Sequence, residues 1–186
     1  MKRILDFSLA LLACLIFLWP ALLIALAVRL TSPGPALYWS DRVGRNNRIF
    51  KMPKFRSMRV DTPALATHLL GDPRAHLTPI GSFLRKSSLD EIPQLWSILV
   101  GDMSFVGPRP ALFNQQDLIE LRTQKGVHRL VPGLTGWAQI NGRDDLPIPQ
   151  KVALDAEYLE RQGLGMDIRI IFRTAAKVIS RDGVAH

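Results

Sequence analysis

An uncharged stretch of 22 residues, from position 7 to position 28, constrains this chain more than any other feature of its sequence. As one helix it would be about 33 Å long, which is enough to cross the hydrocarbon core of a bilayer. Pro20 lies within the stretch, and a proline inside a helix removes one backbone hydrogen bond and kinks the axis. Basic residues flank both ends, which favours keeping both flanks on the cytoplasmic side of a membrane.

Three interpretations of this stretch compete. A cleaved signal peptide is disfavoured by Asp6 and by the length of the apolar run. A single transmembrane helix fits the residues as well as a re-entrant hairpin that is broken near Pro20 and has both ends cytoplasmic. Because the hairpin accounts for both the proline and the basic flanks, we predict that residues 1–30 form a re-entrant membrane-anchoring helix.

The remaining residues, 31–186, fit a single domain with its own core. The whole chain carries 24 Lys and Arg against 16 Asp and Glu. This excess predicts an anionic partner, which could be nucleic acid, acidic lipid or a phosphorylated substrate. Cys14 is the single cysteine, so an intrachain disulfide is excluded, and the four histidines lack the spacing of a zinc site.

Local patterns predict an α+β domain that is mostly helical. Strand-like segments at residues 36–41 and 48–59 flank a turn and predict a small β-hairpin. Capping and breaker residues predict helices at 78–86, with Thr78 as the cap, and at 90–100, 114–125, 149–162 and 167–181. A short strand is expected at residues 137–140, between two glycine-containing turns.

The last predicted helix has an apolar stripe with a row of bases beside it. The stripe consists of Ile168, Ile171, Phe172, Ala175, Val178 and Ile179. The row consists of Arg169, Arg173, Lys177 and Arg181. Such a helix packs on a core with a solvated basic edge, or it lies in a membrane interface with its bases on lipid phosphates. Given the apolar N-terminus, we favour an interfacial amphipathic helix that contacts anionic lipids.

Residues 42–59 contain seven bases and no acid. A solvated or lipid-facing surface explains most of them. Only two phenylalanines are interleaved with these bases, so a nucleic-acid groove has little support and we predict no nucleic-acid partner. Strand alternation places Lys54 and Arg56 on one face and Phe55 on the other, so one of the two bases could point into a site.

Two adjacent carboxylates, Asp90 and Glu91, lie in the most informative segment of the chain. Ser88 and Glu91 match a capping box, which would make the acids purely structural. Alternatively Asp90 itself caps the helix, because Pro93 then falls at the third helical position and no helix bond is lost. A carboxylate at a helix start should stay ionised, which suits metal binding or nucleophilic attack.

Candidate anion-binding residues lie on both sides of this pair. Arg85 precedes it, and Arg109 follows between two prolines that fix its backbone for a bidentate grip on phosphate. Gln139, Asn141 and Arg143 alternate along the predicted strand and turn, and could present amides and a guanidinium to a ligand. The sequence contains no dinucleotide-binding, P-loop, serine-hydrolase or zinc-protease motif.

Together these segments resemble the bacterial sugar transferase family, the monotopic phosphoglycosyl transferases, in what looks like their minimal catalytic form. The resemblance covers nearly the whole chain. It is carried by KRILD at 2–6, KFRSM at 54–58, DPR at 72–74, LRKSSLDEIPQL at 84–95, GDMSFVGPRP at 101–110 and PGLTGWAQINGR at 132–143.

This resemblance implies transfer of a sugar phosphate from a UDP-sugar to polyprenyl phosphate, with release of UMP, at the cytoplasmic face of the bacterial inner membrane. It implies Asp90 as the nucleophile that forms a covalent sugar-phosphate intermediate, Glu91 as its partner, and Mg²⁺ on the diphosphate near both acids. Lys54, Arg85 and Arg109 match family positions near phosphate. The turn from Asn141 to Arg143, with Gln139 before it, is a weaker candidate for the nucleotide end.

Two other classes of protein remain to be weighed. A membrane-anchored basic binding protein without catalysis would use the basic segments equally well, but leaves the Asp90–Glu91 pair and Arg109 without a purpose. A transferase or lipid phosphatase with several membrane spans is disfavoured, because one apolar segment cannot supply them.

Overall fold

The computed structural model describes residues 2–63, 72–142 and 146–180. This part of the chain is mostly helical with a few short strands, as predicted. Its α-helices are α1 (Lys2–Thr31), α2 (Gly81–Lys86), α3 (Leu95–Val100), α4 (Gln116–Gln124), α5 (Trp137–Ile140), α6 (Ile148–Arg161) and α7 (Leu164–Ser180). Its strands are β1 (Leu37–Val43), β2 (Ile49–Phe55), β3 (Ser104–Val106), β4 (Ala111–Leu112) and β5 (Gly133–Thr135). Short 3-10 helices cover Arg45–Asn47, Pro73–His76, Leu89–Gln94 and Val127–Arg129.

The predicted β-hairpin is confirmed. Strands β1 and β2 pair antiparallel, with Leu37 opposite Phe55 and Val43 opposite Ile49. Strand β4 pairs with the other edge of β1, which gives the sheet order β2-β1-β4. The hairpin of this sheet therefore contains most of the basic segment 42–59. The opposite edge of the sheet is β4, which begins two residues after Arg109.

A second, two-stranded sheet pairs β3 with β5 in parallel. Two glycines allow the adjoining backbones to approach closely. A Cβ atom at Gly133 would lie 2.1 Å from the Gly107 nitrogen, and one at Gly107 would lie 2.3 Å from the Val131 carbonyl oxygen. Real Cβ atoms do not come this close to backbone, so larger residues would push the two segments apart.

Helix α1 packs on the rest of the protein along both of its halves. Ala10 is fully buried against Met52 and Ile98, and Val28 is fully buried against Phe55 and Leu84. Between the two contacts, side chains such as Cys14 and Ile24 are partly buried against the same clusters, whereas Trp19 is 73% exposed. Helix α1 alone, among the described residues, is long and apolar enough to cross a membrane.

The polar first turns of α1 bind three separate elements. Arg3 donates to the carbonyls of Ile98 and Leu99, so it caps the end of α3. The buried carboxylate of Asp6 accepts from the Phe105 amide of β3 at 3.3 Å, and Lys2 pairs with Asp167 of α7 at 2.5 Å. The start of the apolar helix is thus tied to a strand and a helix that lie about 100 and 165 residues further along the chain.

Two local predictions are wrong. Residues 137–140 form the helical turn α5, and the strand lies just before it at β5, because Gly133, which was assigned to a turn, allows the close pairing of β3 with β5. Thr78 does not cap α2, which begins three residues later. Its hydroxyl instead donates to the Ser57 carbonyl at 3.3 Å.

Helix α7 has two apolar faces. Ile170 is fully buried against the second sheet, whereas Ile168 is 50% and Phe172 71% exposed. The stripe seen in the sequence is therefore the outward face of the helix as far as Ala175, and the inward face is formed by residues on the opposite side. Lys177 lies further along the same helix, and Arg181 lies outside the described residues.

Candidate active site

The two acids lie in the 3-10 helix Leu89–Gln94, which packs against β2. Ile92 joins this helix to both large core clusters, because it contacts the cluster around Met52 and the cluster around Phe55. Lys54, on the same strand, projects toward the helix and places its ammonium 3.0 Å from Glu91 Oε1. Of the two bases that alternation places on one face, Lys54 thus contacts an acid of the candidate site, whereas Arg56 donates to the Ser32 carbonyl at 2.9 Å.

Neither predicted capping arrangement describes the start of this helix. The helix begins at Leu89, so Asp90 lies inside it and does not cap it. Ser88 precedes the helix but its side chain makes no capping hydrogen bond, and its φ of 55° places it in the left-handed region. A residue with a Cβ atom is strained there, and such strain is concentrated at functional sites.

Glu91 is held by two cations from different elements. Its Oε1 lies 3.0 Å from Lys54 Nζ and 3.3 Å from Arg109 Nη2. Burial alone would raise the pKa of the Glu91 carboxyl, but the charges and hydrogen bonds of Lys54 and Arg109 outweigh burial and hold that pKa well below its usual range. Glu91 therefore stays ionised at any physiological pH.

Asp90 has a different environment from its neighbour. It is only 8% exposed, and burial raises the pKa of its carboxyl, with the Glu91 charge adding to this rise. Lys54, Arg85 and Arg109 oppose the shift. The cations around the site, and not a helix end, are thus what favours the ionised form. Two adjacent acids with opposite pKa shifts indicate separate chemical roles.

The loop that carries Arg109 is fixed through three successive backbone carbonyls. The Pro108 carbonyl accepts from the Gly133 amide at 2.9 Å. The Arg109 carbonyl accepts from Arg122 Nη1 at 2.8 Å, and the Pro110 carbonyl accepts from Arg42 Nη1 at 3.1 Å. Three donors from three different elements therefore fix the backbone from which the Arg109 side chain extends to Glu91.

Arg122 is itself held by a buried carboxylate that the sequence analysis missed. Its Nε and Nη2 donate to Asp155 Oδ2 of α6 at 3.0 and 2.7 Å, and the two side chains are only 10% and 1% exposed. The two residues are 33 positions apart on helices of ordinary polar composition. No local pattern marks either of them, so only the packing of α4 on α6 shows the pair.

The predicted nucleotide-end residues do not form one group. Gln139 is buried beside the Arg109 loop, since a Cβ atom at Gly136 would lie 2.6 Å from Gln139 Oε1 and 2.1 Å from the Gly107 carbonyl oxygen. Asn141 uses its amide to donate to the Trp137 carbonyl at 2.8 Å, which closes the helical turn α5. Arg143 lies outside the described residues.

The acids of the site suit one kind of metal ion. The described residues contain no group of three or more His, Cys, Asp and Glu side chains arranged to hold a metal. Mg²⁺ does not need such a group, because it is usually bound by one or two carboxylates together with substrate phosphates. Asp90 and Glu91 are two adjacent carboxylates, the donor type with which Mg²⁺ is held when a phosphorylated ligand completes the site.

Comparison with known proteins assigns the family. The profile of the bacterial sugar transferases matches residues 1–181. The chain belongs to the bacterial sugar transferase family. This assignment confirms the resemblance seen in the sequence motifs. Asp90, Glu91 and Arg109 all lie within the matched segment.

Several curated relatives are similar to this chain over most or nearly all of its length. A "UDP-glucose:undecaprenyl-phosphate glucose-1-phosphate transferase" of Xanthomonas campestris pv. campestris is 42% identical, over 97% of this chain and 39% of the relative. An "Undecaprenyl-phosphate galactose phosphotransferase" of Salmonella typhimurium is 39% identical, over 81% and 34%. A glucose-1-phosphate transferase of Caulobacter vibrioides is 38% identical, over 97% and 70%. The chain thus spans about two fifths of the first relative's length.

Proposed function

We propose that this protein transfers a sugar phosphate from a UDP-sugar to polyprenyl phosphate, undecaprenyl phosphate in its relatives, and releases UMP. The observation that carries the proposal is the buried Asp90–Glu91 pair surrounded by Lys54, Arg85 and Arg109. Cations in that arrangement offset the repulsion between a carboxylate and an anionic diphosphate. The sugars in the names of the relatives make UDP-glucose and UDP-galactose the first substrates to test.

The reaction proceeds in two displacements at the phosphorus that bears the sugar. In the first, a carboxylate oxygen of Asp90 forms a bond to this phosphorus while its bond to the bridging oxygen breaks, and UMP leaves with that oxygen and its electron pair. In the second, a phosphate oxygen of polyprenyl phosphate forms the new bond and the Asp90 carboxylate leaves. The products are UMP and a polyprenyl-diphosphate sugar, and the enzyme is regenerated.

The neighbouring residues act on charge and position. Arg85 and Arg109 bind the diphosphate oxygens, on which negative charge collects as the bridging bond breaks. Lys54 and Arg109 keep Glu91 ionised and fix its direction. Asp90 and Glu91 would hold Mg²⁺ together with the diphosphate, and the ion would supply further neutralisation of that charge. Gln139 and Arg143 are candidates for the nucleotide end.

The reaction needs a protein that meets a lipid and a soluble nucleotide at one surface. We propose that residues 1–30 enter the inner membrane from the cytoplasmic side and return, with residues 31–186 at the cytoplasmic face. Both halves of α1 pack on the same domain, through Ala10 and Val28, which supports an arrangement with both ends of the helix on one side of the membrane. The outward apolar face of α7 and its basic row would rest on anionic lipids.

Labelling of single cysteines tests this topology. In a Cys14→Ser background, Lys2→Cys and the exposed Arg48→Cys should both resist a thiol probe that cannot cross the inner membrane, in cells with a permeabilised outer membrane. Both should react once the inner membrane is opened. Labelling of Lys2→Cys alone in closed membranes would establish a simple span instead.

Release of UMP from individual UDP-sugars tests the activity. Purified protein in neutral detergent, with Mg²⁺ and undecaprenyl phosphate, should release UMP continuously from at least one UDP-hexose. Asp90→Asn should lower turnover by several orders of magnitude. Absence of UMP from every UDP-sugar, with a protein that remains folded, would reject the proposed function.

A further inference from the structure

Two arginines of α7 lie over a single aromatic ring at some distance in sequence from the acids. The guanidinium carbons of Arg169 and Arg173 are 5.8 and 5.9 Å from the centroid of the Trp137 ring. Both side chains are exposed, and within the described part of the chain neither forms an ion pair. One ring offsets only part of the repulsion between two cations, so the pair is suited to an anion that would offset the rest.

A groove lies directly beside these arginines. It has a volume of about 220 Å³ and is lined by Trp137, Arg161, Gly165, Met166 and Arg169. Glu157 holds two of these side chains in place, because it accepts a hydrogen bond from Trp137 Nε1 at 2.8 Å and forms an ion pair with Arg161. Two guanidinium groups, those of Arg161 and Arg169, therefore line the groove, and that of Arg173 lies over the same indole. The Glu157 carboxylate fixes the orientation of the indole.

The groove opens beside the surface that faces the membrane in the proposed topology. Ile168 and Phe172, on the outward face of α7, are large exposed apolar residues on the same two turns as the arginines. Asp167, the residue before Ile168, is tied to Lys2 at the start of α1 by an ion pair of 2.5 Å. A ligand that reaches the groove from this side would carry an anionic head and an apolar tail.

We propose that the groove between α5, α6 and α7 binds the phosphodiester headgroup of an anionic glycerophospholipid. The inference rests on the proposed membrane association, and it adds a defined site to the general attraction of a basic helix for acidic lipids. Arg169 and Arg173 grip the phosphate oxygens in a bidentate manner, with Trp137 as the platform that holds both planes in place. Occupancy of this groove would fix the rotation of the domain against the membrane surface.

A charge-conserving variant separates a built site from a general basic surface. Arg169→Lys/Arg173→Lys keeps the net charge but loses the planar, stacked donors. The protein's affinity is measured for two kinds of vesicle, one of equimolar phosphatidylglycerol and phosphatidylcholine, the other of phosphatidylcholine alone. The quantity compared between variants is the first affinity divided by the second. We expect the variant to lower this ratio about tenfold. The control Lys177→Gln, one turn further along the basic row, removes a charge yet should lower the ratio by no more than about fivefold.

The remaining outcomes each decide the matter. An unchanged ratio for Arg169→Lys/Arg173→Lys would overturn the built site and leave only diffuse attraction. A raised KM of that variant for UDP-sugar or undecaprenyl phosphate in neutral detergent would overturn the lipid assignment in favour of a substrate subsite. If the wild-type protein releases UMP but shows no preference for phosphatidylglycerol, the headgroup site is rejected and the proposed function stands. If it releases no UMP from any UDP-sugar, the proposed function is rejected.

Discussion

The buried pair of Arg122 and Asp155 should control catalysis through the backbone of Arg109. Asp155→Asn removes the charge that compensates Arg122 while it keeps the size of the side chain. Loss of one partner from a buried ion pair costs about 3–5 kcal/mol. For a protein of this length, we expect the melting temperature to fall by about 6–20 °C.

The effect on turnover follows from the hydrogen bond between Arg122 Nη1 and the Arg109 carbonyl, at 2.8 Å. With the neutral amide of Asn in place of the Asp155 carboxylate, the hydrogen bonds that hold two nitrogens of Arg122 are weaker. The guanidinium can then turn, and the Arg109 carbonyl loses a fixed donor. A displacement of about 1 Å in a positioning group can lower the rate about 100-fold. We expect kcat/KM for the UDP-sugar to fall by about that factor, measured as UMP release at a temperature where the variant is folded.

A double variant separates the structural role from the positioning role. Asp155→Leu/Arg122→Met replaces the pair by apolar side chains, an exchange that is often neutral or stabilising in buried sites. We therefore expect its melting temperature to return close to that of the wild type while kcat/KM stays low, because the Arg109 carbonyl still lacks its donor. Recovery of kcat/KM together with stability would refute the positioning role. The exposed pair of Lys51 and Asp41 supplies the control, since Asp41→Asn should change stability by less than about 1 kcal/mol.

Three shorter predictions follow from the backbone and charges of the site. Ser88→Gly should leave the free energy of unfolding unchanged or raise it by up to about 1 kcal/mol, because glycine adopts the left-handed backbone without strain. The control Ser87→Gly, at a right-handed position, should lower it by about 0.5–1 kcal/mol; chemical denaturation measures both. Lys54→Gln should raise the pKa of Asp90, so kcat/KM, which is lost as pH falls and Asp90 becomes protonated, should begin to fall at a higher pH than in the wild type. Gly133→Ala should strongly lower the yield of folded protein, since its Cβ atom would meet a backbone nitrogen at 2.1 Å.

The sequence predicted most of the secondary structure where the signal was long. The β-hairpin and the last two helices were predicted to within a few residues, because alternation or helical periodicity continues there over many positions. Residues 137–140 were assigned wrongly, since four residues between glycines carry no period of their own. The left-handed backbone of Ser88 had no signal, because serine shows no marked preference for that region.

The candidate site was predicted in part. Each of Lys54, Arg109 and the two acids lies in a short segment whose own sequence marked it as a candidate. The structure brings these segments together. The hydrogen bonds to the backbone carbonyls of residues 108–110 were not predicted, because their donors lie on elements that are far away in the chain. The stripe on α7 was recognised, but a single-sequence pattern cannot tell that a second, shorter apolar face of the helix is the one that packs on the protein.

The most direct test of the account is a single-turnover experiment without acceptor. Enzyme, Mg²⁺ and the active UDP-sugar are mixed in the absence of polyprenyl phosphate, and UMP and the intact protein mass are followed after rapid quench. We predict a burst of one UMP per enzyme with one sugar phosphate added to the protein, absent in Asp90→Asn. Release of UMP that requires polyprenyl phosphate, with no added mass at any time, would contradict the covalent route and reduce Asp90 to a role in binding.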